Sequence, residues 1–280
     1  MNLQSPITNY QLGLIGYPLG HSLSPKIHTA ALAASGLEGN YSLFPIHPDD
    51  KQGLKDLLAQ VRAGEIHGLN VTIPHKQNII EFMDELTPTA KAIGAVNTIY
   101  MRADKLIGDN TDAPGFLSDL KRVSNSSFST PQSALVLGAG GSARAVVYAL
   151  LNDGWNVTLA ARRIEQAQQL AASFTNYQLP ITDNSAFFIP HSSLIVNTTP
   201  LGMTPNTETS PLPENTVLSK HTFIYDLVYN PRETKFVRDA RAQGLNASTG
   251  LGMLIEQAAL AFEKWTGVSA DRVVMQQAVS

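Results

Sequence analysis

The 280-residue chain contains no cysteine. That excludes disulfides, thiolate metal sites and cysteine nucleophiles, and it fits a reducing compartment. Strong charge of either sign is also missing. The formal net charge of −3 gives no electrostatic reason to expect nucleic acid or a membrane surface as partner. No apolar run approaches the roughly 20 residues that a membrane span needs. The opening MNLQSPITNY lacks the basic-then-apolar pattern of a signal peptide. Among the histidines (His21, His28, His47, His67, His75, His191 and His221) there is no HExxH or other short ligand spacing, so no metal site is expected. What remains is a chain 43% apolar and 15% charged, expected to be soluble and cytoplasmic, with a sizeable core and the length of two domains.

The first half alternates strand-like and helix-like pieces. Leu12–Ile15 ends in Gly16-Tyr17-Pro18, a strand running into a turn. Ser24-Pro25 reads as a helix start, with Ser24 as N-cap and Pro25 in the first helical position. Ile27, Ala30, Ala31 and Ala34 would form its apolar face, and Gly36 would stop it. Strands are expected at Tyr41–Ile46 and Ile66–Ile73. A helix carries Leu54, Leu57, Leu58 and Val61. The spacing of Ile79, Ile80, Met83 and Leu86 predicts another helix over Lys76–Leu86, and Thr87-Pro88 opens a short one reaching Gly94. Val96–Met101 and Leu106–Ile107 flank Arg102-Ala103-Asp104-Lys105 as a hairpin. A helix from Pro114 to about Val123 leads into a polar, serine-rich stretch over residues 124–130 that reads as a linker. Beyond it, strands near 134–138, 156–160, 193–197 and 222–228 alternate with helices near 142–152, 165–174 and 233–243, the pattern of parallel βαβ units. Met253–Trp265 and Asp271–Ala278 close the chain as helices.

Ala134-Leu135-Val136-Leu137 runs directly into Gly138, and Gly138-x-Gly140-x-x-Ala143 matches the dinucleotide fingerprint. Gly138 permits the tight turn, Gly140 lets backbone approach a pyrophosphate, and a small residue at 143 lets the helix pack on the strand. The helix N-terminus then presents N–H groups to phosphate. A plain strand-to-helix turn has the same spacing, so the context decides: strand, turn, helix and second strand follow in the required order. At the end of the second strand, an NAD enzyme places an acid on the ribose 2′-hydroxyl. Here Arg162-Arg163 stands there, and guanidinium forks suit a 2′-phosphate. NADP is therefore expected over NAD.

Four polar motifs end predicted strands in the first half: Gly16-x-Pro18-x-x-His21-Ser22-x-Ser24-Pro25, Gly68-x-Asn70-Val71-Thr72-x-Pro74-x-Lys76, Gly94-Ala95-Val96-Asn97-Thr98 and Gly108-x-Asn110-Thr111-Asp112. Ligands bind outside the carboxyl ends of strands in such sheets, and Ser, Asn and Thr clustered there suit a small polyhydroxylated substrate. At these residues the chain resembles the shikimate dehydrogenase family. The likeness continues through Gly138–Ala145, Asn197–Met203, Asp226–Pro231 and Gly250–Leu254, in the family's order.

The resemblance implies an α/β protein in which residues 1–112 and 251–280 bind substrate and residues 113–250 form a Rossmann-like NADP-binding domain. It implies reversible NADPH-dependent reduction of 3-dehydroshikimate to shikimate, in aromatic amino acid biosynthesis. Lys76 and Asp112 fall on the family's catalytic pair, the lysine giving a proton to the developing alkoxide and the aspartate orienting it. Ser22, Ser24, Asn70, Thr72, Asn97, Tyr229 and Gln257 fall on substrate-contacting positions. Gly138, Ala139, Gly140, Gly141, Ser142, Ala143, Arg162, Arg163, Thr198, Met203 and Gly250 fall on the cofactor side, Met203 near the nicotinamide. The family often has Asn-Arg-Thr where this chain has Ala161-Arg162-Arg163, and His-Asn where it has His28-Thr29.

Locally, Lys76 at the start of a predicted helix is disfavoured by the helix dipole by roughly 0.3–1 kcal/mol, and the same field would lower its pKa. A solvated lysine is the plain alternative. Asp112 before Ala113-Pro114 reads as an ordinary N-cap; the resemblance is what promotes both residues. Rival readings are a quinate or dual quinate/shikimate dehydrogenase, whose relatives often use NAD and carry an acid where Ile164 stands, and a non-catalytic ligand-sensing regulator, which would be expected to lose the lysine–aspartate pair. Monomer and homodimer are both compatible with the sequence.

Overall fold

A computed structural model of the chain describes residues 7, 9–124, 128, 132–183, 192–214 and 216–280. They divide into two compact units, one holding the chain up to Thr111 together with Ile255–Ser280, the other holding Asp112–Leu254. Relative to the expected boundaries, Asp112 and the first residues of the penultimate helix group with the second unit.

The first unit runs β1 (Asn9–Gly16), α1 (Ser24–Ala34), β2 (Glu38–Pro45), α2 (Lys51–Arg62), β3 (Gly68–Val71), a 3₁₀ turn at Asn78–Phe82, β4 (Glu85–Leu86), α3 (Pro88–Ile93), β5 (Thr98–Arg102) and β6 (Lys105–Asp109). Its sheet has the order β2-β1-β3-β5-β6-β4. β1 pairs in parallel with both β2 and β3, while β5 runs antiparallel to β3 and β6. Leu54, Leu57, Leu58 and Val61 of α2 pack with Ile15, Leu69, Val71 and Ile99 in one buried cluster. Thr87 caps α3 by accepting from the Ala90 N–H, and Gly94 ends it in the left-handed conformation. Ala103 and Asp104 turn the β5–β6 hairpin with positive φ, the twist a two-residue connection requires.

Three expectations are corrected here. Lys76–Leu86 is not an α-helix: five residues form a 3₁₀ turn, Met83 is extended, and Glu85–Leu86 pairs in parallel with Ile107–Gly108. Tertiary strand pairing overrides the local apolar spacing. In α1, Ser24 is the first helical residue rather than the cap; Leu23 holds the cap position without a side-chain bond. The buried face of α1 is Ile27, His28, Ala31 and Leu32, while Ala34 is exposed.

The second unit runs α4 (Asp112–Ser124), β7 (Ser133–Leu137), α5 (Gly141–Asn152), β8 (Asn156–Ala160), α6 (Ile164–Ala172), β9 (Ile181–Thr182), β10 (Leu194–Asn197), β11 (Phe223–Asp226), α7 (Lys235–Ala242) and β12 (Ala247–Thr249). Strand order is β12-β11-β10-β7-β8-β9, and every pair is parallel. This is the doubly wound order whose switch point lies between its first and fourth strands, here β7 and β10. β9 and β12 are too short to leave a periodic signal in the sequence. The expected linker lies, apart from Ser124 and Phe128, outside the described residues. Asp112 sits in the first turn of α4 rather than capping it.

Helix α8 (Leu251–Thr266) begins in the second unit and continues into the first, followed by α9 (Arg272–Gln277), whose cap Asp271 accepts from Val273 and Val274. Trp265 lies so close over Gly68 that a Cβ there would overlap its indole, and its Nε1 donates to the Ile99 carbonyl at 3.1 Å. That contact joins the last part of the chain to the middle of the first sheet. No described helix is long and apolar enough to cross a membrane.

Candidate active site

In the first unit, the switch point of the parallel strands lies between β1 and β3, and the loops leaving their carboxyl ends carry Ser22, Ser24, Thr72 and Lys76. These loops touch: the Tyr17 N–H donates to the Ile73 carbonyl at 3.0 Å, the Thr72 N–H donates to the Ile15 carbonyl at 2.8 Å, and Gly16 abuts the Thr72 side chain. Ser24 donates its backbone N–H to the Ser22 hydroxyl at 3.2 Å. Because β5 is antiparallel, its beginning lies at the same end of the sheet, which brings Asn97 beside Asn70. Asn70 pairs with Thr98, and Thr98 with Asp109.

The result is a buried polar network. Tyr41 donates to Asn70 Oδ1 at 2.9 Å, and Asn70 Nδ2 donates to the Asn97 carbonyl at 3.2 Å. Asn97 Nδ2 donates to the Thr111 hydroxyl at 3.0 Å and to Gln257 Oε1 at 3.3 Å, while its Oδ1 accepts from the Thr111 N–H at 2.7 Å. Asn70, Asn97 and Gln257, three of the expected substrate contacts, are therefore brought together. Thr111, fixed by Asn97, is the residue immediately before Asp112.

Lys76 is buried, 9% exposed, and its carbonyl accepts from the Val96 N–H at 2.8 Å. With no α-helix following it, the helix-dipole argument for tuning this lysine has no basis. Its burial sets it apart from the solvated alternative, since lysine is rarely buried unless paired. His75, its neighbour, is turned away and bonded through Nε2 to the Ile46 carbonyl at 2.7 Å.

His28 was not singled out from the sequence as functional, yet it lies under this network. Its ring stacks on Tyr41 with centroids 4.4 Å apart and planes within 1°, and tilts against Trp265 at 5.2 Å. Burial pushes its pKa down to about 3, partly offset by Asn70. Neither ring nitrogen has a well-formed hydrogen bond to a described residue.

The second unit presents backbone rather than side chains. Gly138 has φ +115°, and a Cβ there would stand 2.5 Å from the Thr198 hydroxyl. Nothing lies within 4 Å of a Cβ built on Gly140, so that side of the turn is open to a close backbone approach. Gly140 occupies the N-cap of α5 and brings no side chain to its first N–H groups; Gly141 and Ser142 are half-buried there. Ala143 is fully buried, consistent with close helix–strand packing. Arg162 and Arg163 follow β8 directly and are exposed, with Arg163 at the N-cap of α6. An anion fits this turn, and a second one fits the arginines.

Thr198, at the other side of the switch point, donates its hydroxyl to the Leu137 carbonyl at 2.7 Å. Met203 is 40% exposed in the same loop, and Tyr229 is half-buried in the loop after β11. Gly250 packs its backbone on Leu227. Among the described residues, no group of three His, Cys, Asp or Glu could hold a metal ion.

Known proteins resemble this chain over nearly its whole length. Residues 14–99 match the shikimate dehydrogenase substrate binding domain, and residues 250–279 match the shikimate 5′-dehydrogenase C-terminal domain. A shikimate dehydrogenase (NADP(+)) of Carboxydothermus hydrogenoformans is 43% identical over 272 residues, covering 95% of each chain. The chain belongs to the shikimate dehydrogenase family. The Bacillus subtilis relative of that name is 38% identical over 91% of each chain. Among solved structures, shikimate 5-dehydrogenase from Thermus thermophilus in complex with NADP(H) and shikimate superposes with a TM-score of 0.86 at 38% identity, covering 96% of this chain and 98% of that one. Quinate dehydrogenase from Corynebacterium glutamicum in complex with NAD gives 0.87 at 31% identity, covering 97% and 98%.

Proposed function

We propose that the chain catalyses the reversible NADPH-dependent reduction of 3-dehydroshikimate to shikimate, in the cytoplasm, with the first unit binding substrate and the second binding NADP. The observation that carries this reading is the near-full-length likeness to NADP-dependent shikimate dehydrogenases, in a chain that keeps Lys76 and Asp112 at the ends of the strands where ligands bind. When bound, NADPH supplies the hydride.

The chain's own residues do the rest. Gly138, Ala139, Gly140, Gly141, Ser142 and Ala143 offer backbone N–H groups to the pyrophosphate, and Arg162 and Arg163 hold the 2′-phosphate. Ser22 and Ser24 donate hydroxyls to the substrate carboxylate. Asn70, Thr72, Asn97, Tyr229 and Gln257 take the ring hydroxyls, the three amides already oriented by their mutual bonds, so little side-chain freedom is lost on binding. Lys76 gives its proton to the carbonyl oxygen as it becomes an alkoxide, and Asp112 accepts a hydrogen bond from the same substrate oxygen once it is protonated. In the oxidative direction Lys76 takes that proton back.

Absorbance at the NADPH band, with shikimate or quinate each paired with NADP or NAD, tests the assignment. Turnover chiefly with shikimate and NADP is expected; turnover chiefly with quinate and NAD overturns it. The absence of an acid beside Arg162, where Ile164 stands, favours the phosphate-bearing cofactor.

A further inference from the structure

One buried carboxylate in the second unit has no part in the reaction just described, yet it ties together two loops at the carboxyl end of the sheet. Asp226 ends β11 and is 0% exposed. Its Oδ1 accepts from Asn197 Nδ2 at 2.8 Å and from the Val228 N–H at 3.1 Å, and its Oδ2 accepts from the Thr234 hydroxyl at 2.6 Å. These donors are uncharged, and burial raises the carboxyl pKa to about 6 against their pull. Asn197, which ends β10, is also fully engaged. Its Nδ2 reaches the Leu201 carbonyl at 3.2 Å, and its Oδ1 accepts from the Thr199 N–H at 3.0 Å and the Thr199 hydroxyl at 2.7 Å. Thr204 closes the assembly, donating its N–H to the Asn230 carbonyl at 3.1 Å and its hydroxyl to Asn230 Oδ1 at 3.3 Å.

The loops over residues 198–204 and 227–231 are thus one hydrogen-bonded body with Asp226 and Asn197 at its centre. Strand order places that body beside the dinucleotide turn, because β11, β10 and β7 are adjacent and parallel. Thr198 is bonded to the strand that feeds Gly138. A desolvated carboxylate with only neutral donors is a costly way to brace two loops, and its position at the switch point gives the cost a purpose.

We propose that Asp226 is a positioning residue for hydride transfer, fixing the loops that carry Met203 and Tyr229 and hence the placement of the nicotinamide ring. This rests on the function assigned above. In Asp226→Asn the side chain keeps its shape but must turn an N–H toward one of its present donors. For shikimate oxidation, kcat is expected to fall by about 10²-fold, the scale of a small misplacement of reacting groups. KM for NADP should stay within about threefold, because the phosphates are held by the separate turn after β7. In the reverse direction, deuterium at the transferred C4 position of NADPH should slow the variant more than the wild type, a signature that a purely bracing role would not produce.

A folded Asp226→Asn enzyme with kcat and isotope effect unchanged overturns the proposal. Should that variant fail to fold, Thr234→Val and Thr234→Ser decide: loss of kcat in the valine variant with recovery in the serine variant supports the role, and equal kcat in both refutes it. Wild-type protein inactive on shikimate would instead remove the assigned function and this role with it, whereas an active wild type with an unaffected variant removes the positioning role alone.

Discussion

At the carboxyl end of the first sheet lies a chain of side-chain amides and hydroxyls engaged with one another, from Tyr41 through Asn70 and Asn97 to Thr111 and Gln257. At the second sheet, the equivalent place holds a glycine turn, a helix start without a side-chain cap, and two exposed arginines. The first surface is specified by which side chains are present and the second by which are absent. A small polyhydroxylated acid and a dinucleotide bearing several phosphates ask for those two solutions respectively. Mutations at these two surfaces should therefore separate: changes in the amide and hydroxyl network should move substrate kinetics and spare the cofactor, and changes at the glycine turn or its two arginines should do the reverse.

The sharpest way to break that division is Lys76→Ala. Turnover should drop by roughly 10²–10⁴-fold, the contribution of a positioned proton donor, while NADPH binding followed by fluorescence stays near wild type. Comparable turnover in the two proteins would end the catalytic assignment.

Next comes acidity. His28 is held neutral, its pKa lowered to about 3 from an ordinary 6.5, so the unfolded chain takes up the proton first as pH falls. Its contribution to stability is complete above about pH 6.5 and is lost progressively toward pH 3. Between pH 7 and pH 4 this amounts to about 3 kcal/mol. Urea unfolding at the two pH values should show that loss in the wild type and a smaller one in His28→Leu. Equal pH dependence in both would show that the ring does not titrate this way.

Arg162→Ala probes the second unit. KM for NADP should rise about 10–100-fold, the worth of a charge-assisted bond to phosphate, with little change for NAD. A parallel rise for both cofactors would mean that the arginine does not read the 2′-phosphate. The smallest effect belongs to Tyr41→Phe, which keeps the stack on His28 but loses the bond to Asn70. KM for shikimate should rise by about fivefold and KM for NADP should not move. A shift confined to NADP would contradict the division between the units.

Much of this was legible in the chain because its signals are local. Thr87, Pro88 and Gly94 bound α3 by capping chemistry alone, and Gly138 through Ala143 announce a strand, turn and helix in consecutive residues. What escaped depends on distant partners. Glu85 and Leu86 carry helical spacing, yet they pair with β6. His28 sits between residues read as a plain alanine face, and only the fold brings Tyr41 and Trp265 onto its ring. The motif around Asp226 was visible, but its role as a junction needs β10 and β11 side by side. Lys76 is promoted by the family resemblance, and the local reason beside it, the dipole of a helix, does not hold because that helix does not form; its burial, which the sequence cannot report, is the better local one.

The docking of Trp265 over Gly68 also sets an order of manufacture. Asp112–Leu254 form a unit that is whole once residue 254 has left the ribosome. The first unit, although begun earlier, must wait for Ile255–Ser280 before Gly68 and the Ile99 carbonyl are covered. The half of the protein made first is thus the half completed last, and a chain stalled anywhere before Trp265 leaves the middle of its first sheet exposed to whatever else is nearby.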